Sequence, residues 1–260
     1  MPPELAQIGK PGPEEAARLI TQFRTSGIAG DYYLEFELRD LPRRRAETPV
    51  LRGRWWGSRN DRGALGRIEI TDASGAVHRL VLQNGDGAAA WRAAGAGPAR
   101  LDAGALLAPL VPGAEVTTFD VLMPFLFWPA PRIDRIVRKL GRPTYEFVFA
   151  PPPGYVAAGV DLGAVRAYFD TKFNAPLEIE TLGAAGRVVR TFAVLSLQAV
   201  GRQTLPKAID YRNEVTRDKT RLQLTAAALD LALPTAIFDP ATLMQPAGAP
   251  EAGRLVRIEP

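Results

Sequence analysis

The sequence contains no cysteine and a single histidine, His78, among its 260 residues. Without cysteine the protein has no disulfide bonds, no thiolate metal ligands and no thiol nucleophile. One imidazole without a thiol also excludes the common zinc sites, which combine several histidine or cysteine ligands. We therefore expect neither a metal nor another cofactor, and we interpret His78 as an exposed polar residue beside a turn.

Recognisable catalytic motifs are missing as well. A serine–histidine triad would have to use His78 as its base, and no serine lies in a Gly-x-Ser-x-Gly motif. The glycine-rich turn Asn84–Gly87 precedes a predicted strand, whereas a phosphate-binding loop precedes a helix. The 28 acidic residues show no spacing typical of a hydrolytic carboxylate pair. The sequence thus predicts no catalytic residues, with a hydrolase as the less favoured alternative.

Long apolar runs and a strong net charge are also missing. No segment approaches the ~18 apolar residues that a membrane-spanning helix needs. The segment Met1–Pro13 is rich in proline and glycine and lacks the apolar stretch of a signal peptide. The net charge is only +4, and the basic residues do not gather into a stripe with exposed aromatic side chains. We therefore expect no nucleic-acid partner.

From Val165 onward, the chain consists largely of runs in which aromatic and β-branched side chains occupy alternate positions. Such runs are typical of antiparallel strands with one buried face, and their length favours a large curved sheet. The strands predicted here are Val165–Asp170, Leu177–Leu182, Val188–Ala199, Lys207–Thr216 and Thr220–Ala228. Further strands are predicted between Asp31 and Arg92, after an amphipathic helix over Glu14–Arg24.

The middle of the chain interrupts this pattern. Leu101–Trp128 contains two apolar, helix-like pieces, Asp102–Leu110 and Glu115–Phe127. Pro124 lies inside the second piece and is expected to kink or break it, because proline lacks the backbone N–H that a helix needs. Strands resume after this insertion, and no flexible linker separates two cores. The sequence predicts one domain over residues 14–245, an irregular segment over residues 1–13 and a C-terminal tail over residues 246–260.

Four short motifs follow one another along the chain, and they are the central segment Leu110–Trp128, the turn Lys139–Tyr145, Leu205–Lys207 and the closing Ile237–Leu243. Their order resembles the outer-membrane lipoprotein-sorting protein family. The resemblance implies a mainly β, α+β fold of the LolA/LolB-like type. That fold is a single curved antiparallel sheet, or half-barrel, of about eleven strands with helices on its concave side. It also implies a non-enzymatic periplasmic carrier or sensor of lipoprotein acyl chains or other lipid-like ligands.

The apolar insertion is the predicted ligand-binding element. A carrier must release its cargo, so we expect this insertion to be mobile. Alternatively, the same side chains fill the half-barrel as core, because burying each one contributes about 1.5–3 kcal/mol. The predicted ligand contacts are Leu106, Leu107, Leu110, Phe119, Leu122, Met123, Phe125, Leu126, Phe127 and Trp128.

Trp55 and Trp56 are neighbours on a predicted strand, so their indoles point to opposite faces of the sheet. One of them is expected outside or at a rim. There it contacts a membrane surface or a protein partner, or it packs against a loop or an arginine side chain.

The partners and location follow from the resemblance. We expect a lipoprotein or lipid acyl chain as ligand, inner- or outer-membrane envelope proteins as partners, peripheral contact with the membrane, and a monomer. The expected location is the periplasm, with the signal segment absent from this sequence, or alternatively the envelope as an anchored lipoprotein. An envelope protein-interaction module without a lipid remains the alternative function, and a hydrolase of envelope polymers is less favoured.

Overall fold

The computed structural model describes residues 11–44, 46, 48–139, 141–155, 160–172 and 175–259. Within them lie three α-helices, α1 (Pro13–Thr25), α2 (Ala103–Leu106) and α3 (Thr118–Leu122). The strands are β1 (Asp31–Leu41), β2 (Leu51–Asn60), β3 (Gly63–Thr71), β4 (Val77–Gln83), β5 (Ala89–Ala94), β6 (Gly97–Arg100), β7 (Arg132–Lys139), β8 (Arg142–Phe149), β9 (Ala164–Asp170), β10 (Pro176–Leu182), β11 (Val188–Val200), β12 (Gln203–Asn213), β13 (Lys219–Leu231) and β14 (Val256–Arg257). Short 3-10 turns cover Pro124–Phe127, Thr235–Phe238, Pro240–Thr242 and Ala252–Arg254.

Helix α1 begins where its sequence signals predict. Pro13 is its first residue. Two glutamates lie in its first turn and Arg24 lies in its last turn, so the side-chain charges interact favourably with the helix dipole. Its apolar stripe is buried and consists of Ala16, Leu19, Ile20 and Phe23. Of the predicted irregular segment 1–13, residues 1–10 lie outside the described part of the chain.

One antiparallel sheet contains all fourteen strands of the described residues. Its order is β6-β5-β4-β3-β2-β1-β13-β12-β11-β10-β9-β8-β7, with β14 paired to β13. Strands β1–β6 and β7–β13 therefore form two meanders, and the pairing of β1 with β13 joins them. The sheet is not closed, because β6 and β7 form its two edges. This open antiparallel sheet confirms the predicted fold class.

The sheet has more strands than the eleven or so that the resemblance implied. One short strand that the sequence analysis missed is β6, and another is β14, which lies in the predicted tail. β6 has only four residues and contains Gly97 and Pro98. Glycine and proline are depleted in strands, so the local pattern does not indicate a strand there.

The insertion between β6 and β7 contains less helix than predicted. Of the two predicted pieces, only Ala103–Leu106 and Thr118–Leu122 are α-helical, and a 3-10 turn follows over Pro124–Phe127. α3 ends because Met123 adopts a left-handed conformation with φ 47° and Pro124 cannot continue the helix. The predicted break at Pro124 is confirmed.

The main core lies on the face of the sheet that α1 and the insertion cover, called the inner (concave) face below. Phe23 of α1 stacks on Phe169 of β9, with ring centroids 3.8 Å apart. Phe147 of β8 meets these two rings edge-on at 5.8 and 5.7 Å. Phe125 of the insertion packs edge-on against Phe149, at 5.2 Å. Helix, insertion and sheet thus share one aromatic core.

The C-terminal segment packs on the opposite, outer face of β1–β3. Arg67 is 2 % exposed, forms a 2.8 Å ion pair with Glu69 and donates to the carbonyl oxygens of Ile237 and Gln245. The backbone N–H of Ala247 donates to the Glu69 carboxylate over 3.0 Å. A buried ion pair therefore fastens the end of the chain to the sheet, and the described part of the predicted tail contains the strand β14.

Candidate functional site

A cavity of about 570 Å³ lies on the inner face, in the middle of the sheet. It lies where the inner faces of β1, β2 and β10–β13 meet α3. Most of its lining side chains are apolar. The lining residues are Ile28, Tyr32, Leu34, Phe36, Trp55, Asp120, Val121, Met123, Arg142, Asp170, Ala175, Pro176, Leu177, Phe192, Val194, Leu197, Thr204, Pro206, Ile209, Tyr211, Leu222 and Leu224.

Two glycines of β2 shape one wall of the cavity. The ring of Phe36 lies over Gly53, and the ring of Tyr32 lies over Gly57, so that a Cβ at either glycine would overlap the ring. The two aromatic side chains can therefore lie flat across the neighbouring strand. Burial raises the pKa of Tyr32 to about 12, so its hydroxyl stays neutral even above the pKa of about 10 of an ordinary tyrosine.

The insertion is tied to the cavity wall through Asp120 of α3. Asp120 and Thr117 form a reciprocal capping box at the start of α3. Arg190 of β11 lies 3.4 Å from the Asp120 carboxylate and also donates to the carbonyl oxygen of Glu115. Burial raises the pKa of Tyr211, which lines the cavity nearby. One arginine thus connects the strand under the cavity to the helix that borders it.

A second charged pair borders the cavity at the start of β8. Arg142 donates to the carboxylate of Asp170 over 3.2 Å. The Asp170 side chain is only 4 % exposed, whereas that of Arg142 is half-exposed. This pair places charge at the edge of an otherwise apolar cavity.

The cavity wall reaches solvent along β11. Leu197 lines the cavity and is 52 % exposed. Leu195, two residues earlier on the strand, is 47 % exposed and does not line the cavity. Two large apolar side chains are therefore exposed on the same strand, but only one of them borders the cavity.

Most of the predicted ligand contacts lie in the packed core instead. Met123 lines the cavity. Leu107 and Leu126 pack against the core, and Phe127 lies against Arg24, whose guanidinium carbon is 4.9 Å from the ring centroid. The remaining six are buried between the insertion and the sheet and are Leu106, Leu110, Phe119, Leu122, Phe125 and Trp128. In this structure the insertion fills this part of the half-barrel, and a ligand could reach these six only if the insertion moved.

The two neighbouring tryptophans lie on opposite faces, as expected. Trp55 lines the cavity. Trp56 is 0 % exposed, its ring centroid is 5.2 Å from that of Tyr33, and its indole N–H donates to the carbonyl oxygen of Gly248 over 2.9 Å. Of the two expectations for the outer tryptophan, the structure shows the packing against a loop, because the C-terminal segment covers Trp56 and keeps it from standing at a rim.

The predicted ligand contacts do not include the strand residues that form most of the cavity. Phe192, Val194, Ile209 and Tyr211 come from β11 and β12. Their spacing at every second position of the two strands is the signal that could have placed them on one face. The glycines opposite Phe36 and Tyr32 were an additional signal, because glycine inside a strand marks a close approach.

In the described part of the chain, the only histidine of the sequence, His78, contacts a carboxylate and no serine hydroxyl. Nε2 of His78 lies 2.8 Å from the carboxylate of Asp72, and the hydroxyl of Ser74 donates to the other oxygen of the same carboxylate over 2.6 Å. Serine and histidine thus share an acceptor without bonding to each other. Among the described residues, no three acidic or histidine side chains are grouped to hold a metal ion. Over the same ranges, no helix is both long and apolar enough to cross a bilayer.

Sequence comparison finds no protein-family model and no curated protein that matches this chain. Solved structures do match its fold. A domain named as an outer membrane lipoprotein-sorting protein from Vibrio parahaemolyticus is 13% identical and has a TM-score of 0.76, over 90% of this chain and 100% of that one. A DUF1329 family protein from Desulfovibrio piger is 12% identical, with a TM-score of 0.71 over 89% and 97% of the two chains.

A LolA superfamily protein from Nitrosomonas europaea is 16% identical to this chain. Its TM-score is 0.63, over 86% of this chain and 97% of the other. These likenesses show that the chain has the LolA-like curved-sheet fold, as the resemblance predicted. A shared fold at such low identity does not transfer a ligand or an activity.

Proposed function

We propose that this protein is a non-enzymatic carrier or sensor of a lipid-like ligand, such as a lipoprotein acyl chain, in the periplasm. The observation that carries the proposal is the apolar cavity between the middle strands and α3. Its volume of about 570 Å³ falls within the roughly 300–1,000 Å³ that is usual for small-molecule sites.

The physical basis is the transfer of hydrocarbon from water into an apolar cavity. Each buried methylene contributes about 0.8 kcal/mol, so affinity depends mainly on the length of chain that the cavity holds. The aromatic and branched side chains of Phe36, Phe192 and Ile209 supply such a surface. The ion pair of Arg142 and Asp170 borders the same cavity and offers a polar contact for the head of an amphiphile.

Release of the ligand requires a movement, for which the insertion is the proposed element. Its attachment to the cavity wall runs through Arg190, which contacts Glu115 and Asp120. Met123, with its left-handed backbone, and Pro124 form a natural break next to the cavity. Opening at this break would also make the six buried apolar residues of the insertion accessible to the ligand. Envelope proteins or a membrane surface are the proposed sources and acceptors of the ligand, with the protein acting as a monomer.

The experiment begins with mass spectrometry of an organic extract from natively purified protein. Binding of a fluorescent fatty acid is then measured for the wild type, Leu197→Asp and Leu195→Asp. Both leucines are about half-exposed on β11, so both variants should fold, but only Leu197 borders the cavity. We expect Leu197→Asp to weaken binding at least tenfold, equivalent to about 1.4 kcal/mol, and Leu195→Asp to leave it nearly unchanged.

A clean extract together with no uptake of fatty acid would contradict the carrier proposal. The alternative is an envelope protein-interaction module, which the two half-exposed leucines of β11 favour, because large exposed apolar side chains often mark contact surfaces. In that case Leu195→Asp and Leu197→Asp should weaken capture of an envelope protein to a similar degree.

A further inference from the structure

The sheet has a seam next to the cavity, between β12 and β13. These two strands pair from Arg212↔Lys219 to Ala208↔Gln223 and then separate. Beyond that point, residues 203–206 of β12 pair only with β11. Pro206 fits this arrangement, because it has no backbone N–H to leave unpaired on the open side of the strand.

Strand β14 occupies the seam. Arg257 and Val256 pair with Ala226 and Ala227 of β13, whose other edge is already paired with β1. A strand has two edges, so β14 must lie on the side where β12 has separated from β13. The backbone N–H of Ile258 continues the pairing by donating to the carbonyl oxygen of Thr225 over 2.9 Å.

Ile258 closes the seam on the side of the cavity. Arg257 forms a 2.7 Å ion pair with Glu35 on the outer face, so the alternation of a strand directs Ile258 inward. Ile258 is 7 % exposed and belongs to an apolar cluster with Val200, Leu205, Leu224 and Ala227, against which Ile28 and Leu34 pack. Ile28, Leu34 and Leu224 also line the cavity. Ile258 therefore stands behind the cavity wall formed by these three side chains.

We propose that Ile258 is the end stop that sets the length of acyl chain the cavity accepts. This inference rests on the proposed function, because it assigns a specificity-determining residue to the same cavity. An acyl chain that enters beside Leu197 and runs along β12 contacts Leu224 and Leu34. Ile258 packs behind these two side chains and prevents them from moving away from the ligand. With a smaller residue at position 258, they can shift into the seam and make room for a longer ligand.

The test measures the competition of saturated fatty acids of about 8 to 18 carbons with a bound fluorescent fatty acid. In the wild type, affinity should rise about fourfold per added methylene, the equivalent of about 0.8 kcal/mol, until the chain reaches the end stop, and then level off. In Ile258→Ala the affinity should level off at a longer fatty acid than in the wild type. A fatty acid two carbons beyond the wild-type limit should bind roughly 15-fold more tightly to the variant, which is two successive fourfold steps.

Val256→Ala is the matched control, since Val256 lies on the same short strand but is 50 % exposed and outside the cluster. It should keep the wild-type length limit. If Ile258→Ala is unstable in thermal unfolding, the milder Ile258→Val should still move the limit in the same direction. An unchanged limit in folded Ile258 variants, or an equal change in Val256→Ala, would overturn the end stop while leaving the carrier function standing. Wild-type protein that binds no fatty acid of any length would overturn both.

Discussion

Two parts of the inner face contain similar residues and differ in what covers them. The packed region, on β8 and β9, presents Phe147, Phe149 and Phe169, and helix α1 and the insertion cover it. The open region, on β11 and β12, presents Phe192 and Tyr211, which meet edge-on at 5.4 Å and border the cavity. Apolar composition therefore does not distinguish the packed core from the wall of the cavity. The position of the covering elements does.

The largest difference in stability between the two regions is expected when one phenylalanine in each is replaced by alanine. Phe147→Ala should lower the free energy of unfolding by about 3–5 kcal/mol, because the side chain is fully buried among other rings. Phe192→Ala should cost less, about 2 kcal/mol, since one side of its ring already borders the cavity. Urea denaturation of both variants measures the two losses. Equal losses would show that the open region is as tightly packed as the core.

Replacing a valine by the larger phenylalanine also tests whether the two regions differ in packing, because it adds volume where the previous variants remove it. Val165 on β9 is 0 % exposed in the packed region, and Val194 on β11 is 6 % exposed but lines the cavity. Val165→Phe should destabilise the protein by about 1–3 kcal/mol, because a filled core has no room for the ring. Val194→Phe should leave stability nearly unchanged, because the ring can enter the cavity.

The same pair of variants separates stability from ligand uptake. Thermal unfolding measures the stability of each, and titration with a fluorescent fatty acid measures uptake. Val194→Phe should bind less lipid although it is stable, whereas folded Val165→Phe should bind it normally. Undiminished uptake by Val194→Phe would contradict the assignment of the open region as the binding surface.

The sequence predicted the strands of both regions because their signals are local. β9 was predicted over Val165–Asp170 and is observed over Ala164–Asp170, since alternation and turn residues mark its limits. β12 was displaced, with Lys207–Thr216 predicted and Gln203–Asn213 observed. The predicted start at Lys207 leaves out Pro206, which the unpaired edge of β12 at the seam tolerates.

The candidate site was harder to predict because it depends on long-range packing. The most apolar segment, Val121–Trp128, was the natural choice for ligand contacts, yet Phe125 and Trp128 fill the core. Which strands remain uncovered is decided by where α1 and the insertion pack, and no local pattern of β11 or β12 records that. The same holds for Trp56, whose burial depends on a segment nearly 200 residues later in the chain.

A smaller loss of stability is expected when the N-terminal cap of α3 is removed. This helix joins the packed and open regions. Thr117→Ala removes the hydroxyl that accepts from the backbone N–H of Asp120, and should cost about 1 kcal/mol. The adjacent Thr118 is the control. Its buried hydroxyl has no hydrogen-bond partner within the described ranges, so Thr118→Ala should cost less. Chemical denaturation compares the two, and a larger loss in Thr118→Ala would contradict the role of the cap.

The smallest change in stability is expected when the pH is lowered. It concerns the β3–β4 hairpin, which lies outside both regions. Hydrogen bonds from Ser74, and then from His78 and backbone N–H groups, hold the pKa of Asp72 below its usual range. A lowered folded-state pKa means that the carboxylate stabilises the hairpin above its unfolded pKa of about 3.9. That stabilisation is lost as the pH falls through the lower, folded-state pKa.

Solvent exposure keeps this contribution small, so acid should loosen the turn Asp72–Gly75 without opening the inner face. Titration of the Asp72 carboxyl carbon by NMR measures the pKa directly. Ser74→Ala should raise it towards the ordinary value, because the largest stabilising hydrogen bond to the charged form is removed. An unchanged pKa in Ser74→Ala would assign the shift to His78 and the backbone instead, and His78→Ala would then be the variant that raises it.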